Sequence, residues 1–335
     1  MYTLNDLPPL VVGGAVFNTQ YSKDPSKLPI ADIFKEAFAR GCTAIDTSPY
    51  YGRSEELIGK VLTSIEDEWP REKYFICTKA GRLELDKFDY NREHVRRSVM
   101  RSLQRLNTSY LDLVYMHDVE FVTEQEAYDA LRELVLLKKE GIIKYFGITG
   151  YPVKYLFRVA YKSATTFKED IGPLDAILSY SHGCIQNTKL FDIRDDFFAM
   201  TGIKRLFNGS ILSMSLLRSG KTHAFHPASQ ELKDTVKSIA KKLLEEDGVE
   251  LAELATRFAM KRWQFKGQEA DGTLAVDPEV STVLGVSSVE ELKSALKCFD
   301  DVKLNSDNGD EALFEKFHTA LGPQMNETWP SGIEH

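Results

Sequence analysis

Tyr74-Phe75-Ile76-Cys77-Thr78-Lys79 is a short apolar run that ends in an amine, and Leu111-Asp112-Leu113-Val114-Tyr115-Met116-His117 is another that ends in an imidazole. Between them Val95, Val99, Leu103 and Leu106 recur at the spacing of one helix face. The segment therefore reads as strand, helix, strand. Two apolar strands joined by a helix imply a parallel pair, because a crossover is needed to bring the second strand back in the same direction.

The same alternation extends in both directions. Upstream, Leu10-Val12 is followed by a helical stripe of Ile30, Ile33, Phe34, Ala37 and Phe38, with Gly41 as its stop. Thr43-Ala44-Ile45-Asp46 is a strand ending in a carboxylate, and Glu55 to Leu62 a helix. Downstream, Tyr128, Leu131, Leu134 and Val135 stripe a helix closed by Gly141. Strands are expected at 142–149, 176–179, 204–212 and 280–286. Helices are expected at 153–164, 189–200, 232–244, 251–262 and 289–297. The stretches 218–229 and 264–278, and the polar tail after Asp300, read as loops and extension. About eight strand–helix units with no linker between them predict one (β/α)8 TIM barrel over residues 1–335, with extra helices and long loops at its C-terminal side. An open doubly wound sheet is the alternative. Gly13-Gly14 after the first strand gives no G-x-G-x-x-G, so its phosphate fingerprint is missing.

Composition narrows the function. The chain has 335 residues, with 42 Lys+Arg against 50 Asp+Glu and a net charge of −8. That balance disfavours nucleic acid, whose binders need a basic face. No apolar stretch approaches the roughly 20 residues of a membrane span, and no basic start precedes an apolar block as in a secretory leader. The four cysteines form no C-x-x-C pair, so free thiols in a reducing cytoplasm are expected, with neither disulfides nor structural zinc.

In a barrel the carboxyl ends of the strands face the active site. Asp46, Lys79 and His117 end strands two, three and four, and Tyr51 follows Asp46 by five residues. Together they make proton-transfer machinery. A phenol titrates near about 10, and an adjacent ammonium pulls it toward the working range. An aspartate orients the ammonium, and a histidine binds the substrate oxygen. Such a group suits carbonyl–alcohol interconversion, with a cofactor carrying the hydride.

At these residues the sequence resembles the aldo-keto reductase superfamily. Ile45-Asp46-Thr47-Ser48-Pro49-Tyr50-Tyr51-Gly52-Arg53-Ser54-Glu55 is similar to the family's Asp, Tyr-Gly, Glu signature, and the Lys79 and His117 strands match its next two motifs. Two further stretches, Ala176-Ile177-Leu178-Ser179-Tyr180-Ser181-His182 and Thr328-Trp329-Pro330-Ser331-Gly332-Ile333, resemble a branch that oxidises free aldoses such as D-arabinose and L-galactose. The resemblance implies NAD-dependent oxidation of D-arabinose at C1 to D-arabinono-1,4-lactone, on the route to D-erythroascorbate. It makes Tyr51 the proton-transfer residue, Lys79 its tuner, Asp46 the partner of Lys79, and His117 the group that orients the sugar.

The same resemblance places cofactor contacts at Gly14, Ala15, Thr149, Ser179, Ser213, Met214, Ser215, Leu217, Gly285 and Glu291. Tyr50 and His182 join His117 as sugar contacts, and Trp329 covers the mouth or packs outside it. Thr149-Gly150, Ser179 and Met214 depart from the Ser-Asn, Gln and Tyr common in relatives. Gly285 and Glu291 fall where NADPH users carry Lys and Arg. A carboxylate there repels a 2′-phosphate and accepts from a free 2′-hydroxyl, so NAD is expected. The partner is a small aldose, and the protein is a monomer or homodimer. A broader aldose dehydrogenase or carbonyl reductase, a non-catalytic redox-sensing subunit and a metal-dependent barrel hydrolase are the competing readings. The last needs clustered ligands, and of the seven histidines only His117 clearly ends a strand.

Overall fold

The computed structural model describes residues 2–305 and 309–335. Parallel strands Leu10–Gly13, Ala44–Asp46, Phe75–Ala80, Leu111–Met116, Ile143–Gly150, Ala176–Tyr180, Arg205–Gly209 and Val280–Gly285 close into a barrel in chain order. The last pairs with the first through Leu10↔Thr282 to Gly13↔Gly285. Helices follow the strands around the outside, among them α1 (Ile30–Ala39), α2 (Ser54–Ser64), α3 (Arg92–Leu106), α4 (Glu124–Lys139), α5 (Val153–Thr165) and α6 (Lys189–Thr201). The strands are apolar on both faces because one face meets the helices and the other fills the barrel. No helix among the described residues is long and apolar enough to cross a membrane.

The period of two along a strand decides which side chains reach the interior. Ala44, Phe75, Cys77, Leu113 and Tyr115 belong to the inner cluster, whereas Ile45, Ile76, Val114 and Met116 pack outward against helices. Two residues beyond Ala44, Cys77 and Tyr115 come Asp46, Lys79 and His117. Their polarity is therefore confined to the inner face at the carboxyl end, where the apolar layer stops.

The opposite end is sealed. Leu4 and Leu7 join the inner cluster from the N-terminal segment. Arg205, 1% exposed, donates to the carbonyls of Leu7 at 2.8 Å, Pro8 at 3.2 Å and Pro278, and to Ser281 Oγ. Burial lowers its pKa to about 10. A cleft of about 430 Å³ between Lys138, Phe146, Asp175 and Lys204 lies outside the strand-end cluster.

Three predicted features differ. The stretch 264–278 contains a hairpin, Phe265–Gln268 with Leu274–Val276, whose Phe265 packs 5.2 Å from Phe299. Its Asp271-Gly272 pair is a hairpin turn signal that the surrounding acids and glycines masked. After Asp300 the chain is not merely a tail. Helix α9 runs Val289–Lys303, and α10 spans Asp310–Leu321, burying Phe314, Phe317 and Leu321 at helical spacing. Helices α7 (Gln230–Lys242) and α8 (Leu251–Trp263) pack with α10 in a second apolar cluster that includes Trp329. The strand expected over 204–212 is shorter, Arg205–Gly209, because the chain turns at Ser210, which is left-handed (φ 55°).

Candidate active site

The four strand-end groups meet. Lys79 Nζ donates to Asp46 Oδ1 at 2.5 Å and to the Thr47 carbonyl at 2.9 Å. It also lies 4.9 Å from the Tyr51 ring centroid. Tyr51 is presented by a tight turn, with its N–H bonded to the Ser48 carbonyl at 3.0 Å and Gly52 in a left-handed conformation (φ 58°). The His117 ring stands edge-on to Tyr51 at 5.7 Å and to Tyr50 at 5.7 Å.

Ser48 fixes the imidazole. Its hydroxyl lies 3.0 Å from His117 Nδ1 and accepts the Tyr50 N–H at 3.1 Å. The assignment that satisfies both has Ser48 donating to Nδ1, which places the ring proton on Nε2. Burial, then the charges of Lys79 and Arg82, hold the His117 pKa well below the ordinary value, so the ring is neutral.

Burial most strongly opposes the charge on Lys79, but Asp46 and Tyr51 together outweigh it and raise its pKa above the usual value. The group is therefore a fixed cation. Tyr51 differs from expectation. Burial raises its pKa, and although Lys79 pulls the other way, Asp46 and Asp118 side with burial, so the net shift is upward. The ammonium limits the rise rather than bringing the phenol below its ordinary range.

A second set of charges, unseen in sequence, flanks this group. Asp118 is paired with Arg82, whose guanidinium lies 4.1 Å from the Tyr50 ring centroid. Glu120 is fully buried. Its Oε1 accepts the Tyr151 N–H at 2.9 Å and the Ser331 hydroxyl at 3.0 Å. Its backbone carbonyl takes the Ile333 N–H at 2.9 Å and lies 2.8 Å from His335 Nε2. Gly332 sits so close that a Cβ would fall 2.2 Å from that carbonyl. Trp329 stacks on Tyr151 at 4.5 Å, and Tyr151 packs 4.2 Å from His182. The C-terminal segment is thus strapped across the strand-five side of the mouth. Trp329, expected either over the mouth or packed outside the barrel, lies within this strap, stacked on Tyr151.

Burial, and then the Asp118 charge, push the Glu120 pKa up to about 8. A raised folded-state pKa means that the folded protein holds a proton the unfolded chain has released. Stability therefore falls as pH climbs from the ordinary carboxylate range to about 8. Glu120→Gln, neutral throughout, should gain on the wild type by on the order of 2–4 kcal/mol across that window. Melting temperatures at pH 5 and 8.5 measure it, and a gap independent of pH would contradict the assignment.

The remaining sequence-predicted residues are distributed around the rim. Gly14 packs on Ser54, where a Cβ would lie 2.7 Å from Oγ; Ala15 beside it is half-buried. Thr149 is buried and its Oγ1 accepts the Asp118 N–H at 3.2 Å. Ser179 and Ser213 are fully buried, with hydroxyls that have no partner. Ser213, Met214 and Ser215 form a left-handed run with φ of 46°, 48° and 80°, and Leu217 is buried behind them. His226 Nε2 meets the Ser213 carbonyl at 2.8 Å and Nδ1 accepts the Ala228 N–H, so this histidine braces the run. Gly285 is exposed at the end of strand eight. Glu291 accepts from Ser287 N at 2.7 Å and Ser287 Oγ at 2.8 Å at the start of α9. His182 is a packed histidine bonded to the Tyr180 carbonyl, and burial lowers its pKa to about 4. Among the described residues, no group of three or more His, Cys, Asp or Glu side chains is placed to hold a metal ion.

Comparison with known proteins agrees with this arrangement. The model of the Aldo/keto reductase family matches residues 9–311. D-arabinose 1-dehydrogenase of Saccharomyces cerevisiae is 46% identical over 338 residues, covering 100% of this chain and 96% of the relative. L-galactose dehydrogenase of Arabidopsis thaliana is 32% identical over 303 residues, covering 89% and 86%. A solved aldo-keto reductase from Bacillus halodurans shares the fold with a TM-score of 0.64 at 19% identity, over 96% of both chains. With a barrel of this topology, the strand-end tetrad in place and a family match over most of its length, the chain belongs to the Aldo/keto reductase family.

Proposed function

We propose that the chain is a cytoplasmic, single-domain NAD-dependent aldose 1-dehydrogenase that oxidises D-arabinose at C1 to D-arabinono-1,4-lactone, a precursor of D-erythroascorbate. The observation that carries the proposal is the meeting of buried Asp46, Lys79 and His117 with half-buried Tyr51 at the open end of the barrel. The two relatives, both sugar dehydrogenases by name, support the substrate class.

The rim fits a nicotinamide dinucleotide. The Ser179 and Ser213 hydroxyls are buried donors and acceptors without partners, a costly state that a bound carboxamide relieves. Gly14, Ala15, Thr149, Met214 and Ser215 are assigned to the same cofactor, with Leu217 packed behind them and Gly285 and Glu291 toward its adenosine end. Bound cofactor supplies the acceptor for the C1 hydrogen and its electron pair.

The chain's own residues do the rest. His117, neutral with its proton on Nε2, donates to the C1 oxygen and fixes the sugar, beside Tyr50 and His182. Tyr51 Oη takes the proton from the C1 hydroxyl of the ring form, leaving the oxygen doubly bonded to C1 as the lactone. Lys79 stays charged and stabilises the phenolate, and Asp46 keeps Lys79 aimed. Because the Tyr51 phenol is raised in the free protein, oxidation is favoured at alkaline pH.

Purified protein with NAD⁺ and D-arabinose should generate reduced nicotinamide absorbance, and kcat/KM should favour NAD⁺ over NADP⁺ by at least about tenfold, or about 1.4 kcal/mol. Equal values would remove the role given to Glu291. Binding of NAD⁺ without turnover of any aldose would replace the enzyme reading with a redox-sensing subunit.

A further inference from the structure

The proton-transfer group leaves the Arg82–Asp118 pair without a task. Asp118 follows His117 directly and is 1% exposed. Its backbone is left-handed (φ 57°), a conformation that costs a residue with a Cβ, and the Thr149 hydroxyl holds it there by accepting its N–H. This turn swings the carboxylate back beside the reaction centre, with Oδ2 3.7 Å from His117 Nε2. Its charge is felt by both Tyr51 and Tyr180. Arg82 lies over Tyr50, and Tyr50 stands edge-on to His117. The pair therefore forms part of the wall next to the group that holds the reacting oxygen.

The carboxylate is only half used. Oδ2 pairs with Arg82, while the buried Oδ1 has no partner. Asp46 Oδ2, in the proton-transfer group, and Glu120 Oε2, beside Asp118, share this state, whereas two buried aspartates away from the mouth use both oxygens. Asp112 uses one oxygen for Arg71 and the Ile76 N–H and the other for Lys144. Asp175 uses one for Lys138 and the Phe146 N–H and the other for Lys204. An unpartnered buried carboxylate oxygen is expensive, and what it lacks is a hydroxyl or N–H donor.

We infer that Asp118, braced by Arg82, accepts a hydrogen bond from a sugar hydroxyl other than the one that reacts, and so selects polyhydroxylated substrates. The inference rests on the aldose reading of the same site. Burial raises the Asp118 pKa, and Arg82 works against that rise and holds the carboxylate in place, while the left-handed turn at Asp118 sets its distance from His117. Tyr50 acts here through Arg82, as the plate on which the guanidinium rests.

The test compares the wild type with Asp118→Asn on D-arabinose and on its 2-, 3- and 5-deoxy analogues. The variant should lose about 10- to 100-fold in kcat/KM on D-arabinose, mostly through KM, as expected for a hydrogen bond to a charged group. On one of the three analogues, already a poorer substrate for the wild type, it should lose almost nothing further, which identifies the hydroxyl. NADH affinity, followed by fluorescence, should be unchanged. Equal losses on all four sugars, or no loss on D-arabinose, would overturn the inference. If Asp118→Asn does not fold, the double variant Arg82→Gln/Asp118→Asn, which removes both charges of the pair, takes its place with the same outcomes. A wild type that turns over no aldose would instead refute the reading on which the inference rests.

Discussion

Tyr51→Phe should lower kcat for aldose oxidation by about 10³-fold, within the 10²- to 10⁴-fold range of a positioned acid or base, and leave NAD⁺ affinity within about twofold. The argument is geometric. Lys79 Nζ lies 4.9 Å from the Tyr51 ring centroid, the ring is edge-on to His117, and the change removes one hydroxyl without altering the ring that packs beside them. The loss must therefore appear in the chemical step. Steady-state rates and a fluorescence titration with NADH, run on the same preparation, separate the two effects. Retention of more than about a tenth of the wild-type kcat would give the proton to another group.

Lys79→Met should act twice. It removes the cation that limits the upward shift of Tyr51, so the rate falls by about 10²-fold and the alkaline limb of the pH profile moves to higher pH. It also strands Asp46, which is 4% exposed and bonded to Lys79 at 2.5 Å. Removing one partner of a buried pair typically costs about 3–5 kcal/mol. Asp46 already has a raised pKa from burial, and losing Lys79 raises it further. A raised carboxylate is neutral, and cheap to bury, at low pH; its cost grows as pH rises above the ordinary carboxylate range. The stability gap between variant and wild type should thus be wider at pH 8 than at pH 5. Melting curves at the two values check the sign, and a gap that narrows with pH would contradict the pairing.

The proton-transfer group was legible in the sequence because it obeys a local rule. Asp46, Lys79 and His117 each lie two residues past an inward apolar residue, so strand alternation alone carries them to one end of one face. Arg82–Asp118 and Glu120–Ser331 obey no such rule. Their partners are 36 and 211 residues apart, and nothing periodic links them. The net shift on Tyr51 was misjudged for a related reason: an adjacent cation is visible in a motif, whereas the depth of burial that outweighs it belongs to the assembled barrel. Helix α10 escaped because its apolar stripe of Phe314, Phe317 and Leu321 is diluted by charged neighbours until α7 and α8 supply the surface it covers.

The plug around Arg205 has a kinetic consequence. With the interior packed by Phe75, Leu113, Tyr115 and Phe207 and the far end capped by Arg205, the proposed sugar and dinucleotide share the doorway at the strand ends. Whichever ligand settles deeper is trapped behind the other until its neighbour departs. Traffic through one doorway predicts ordered arrival and exit, which product-inhibition patterns against each ligand would test.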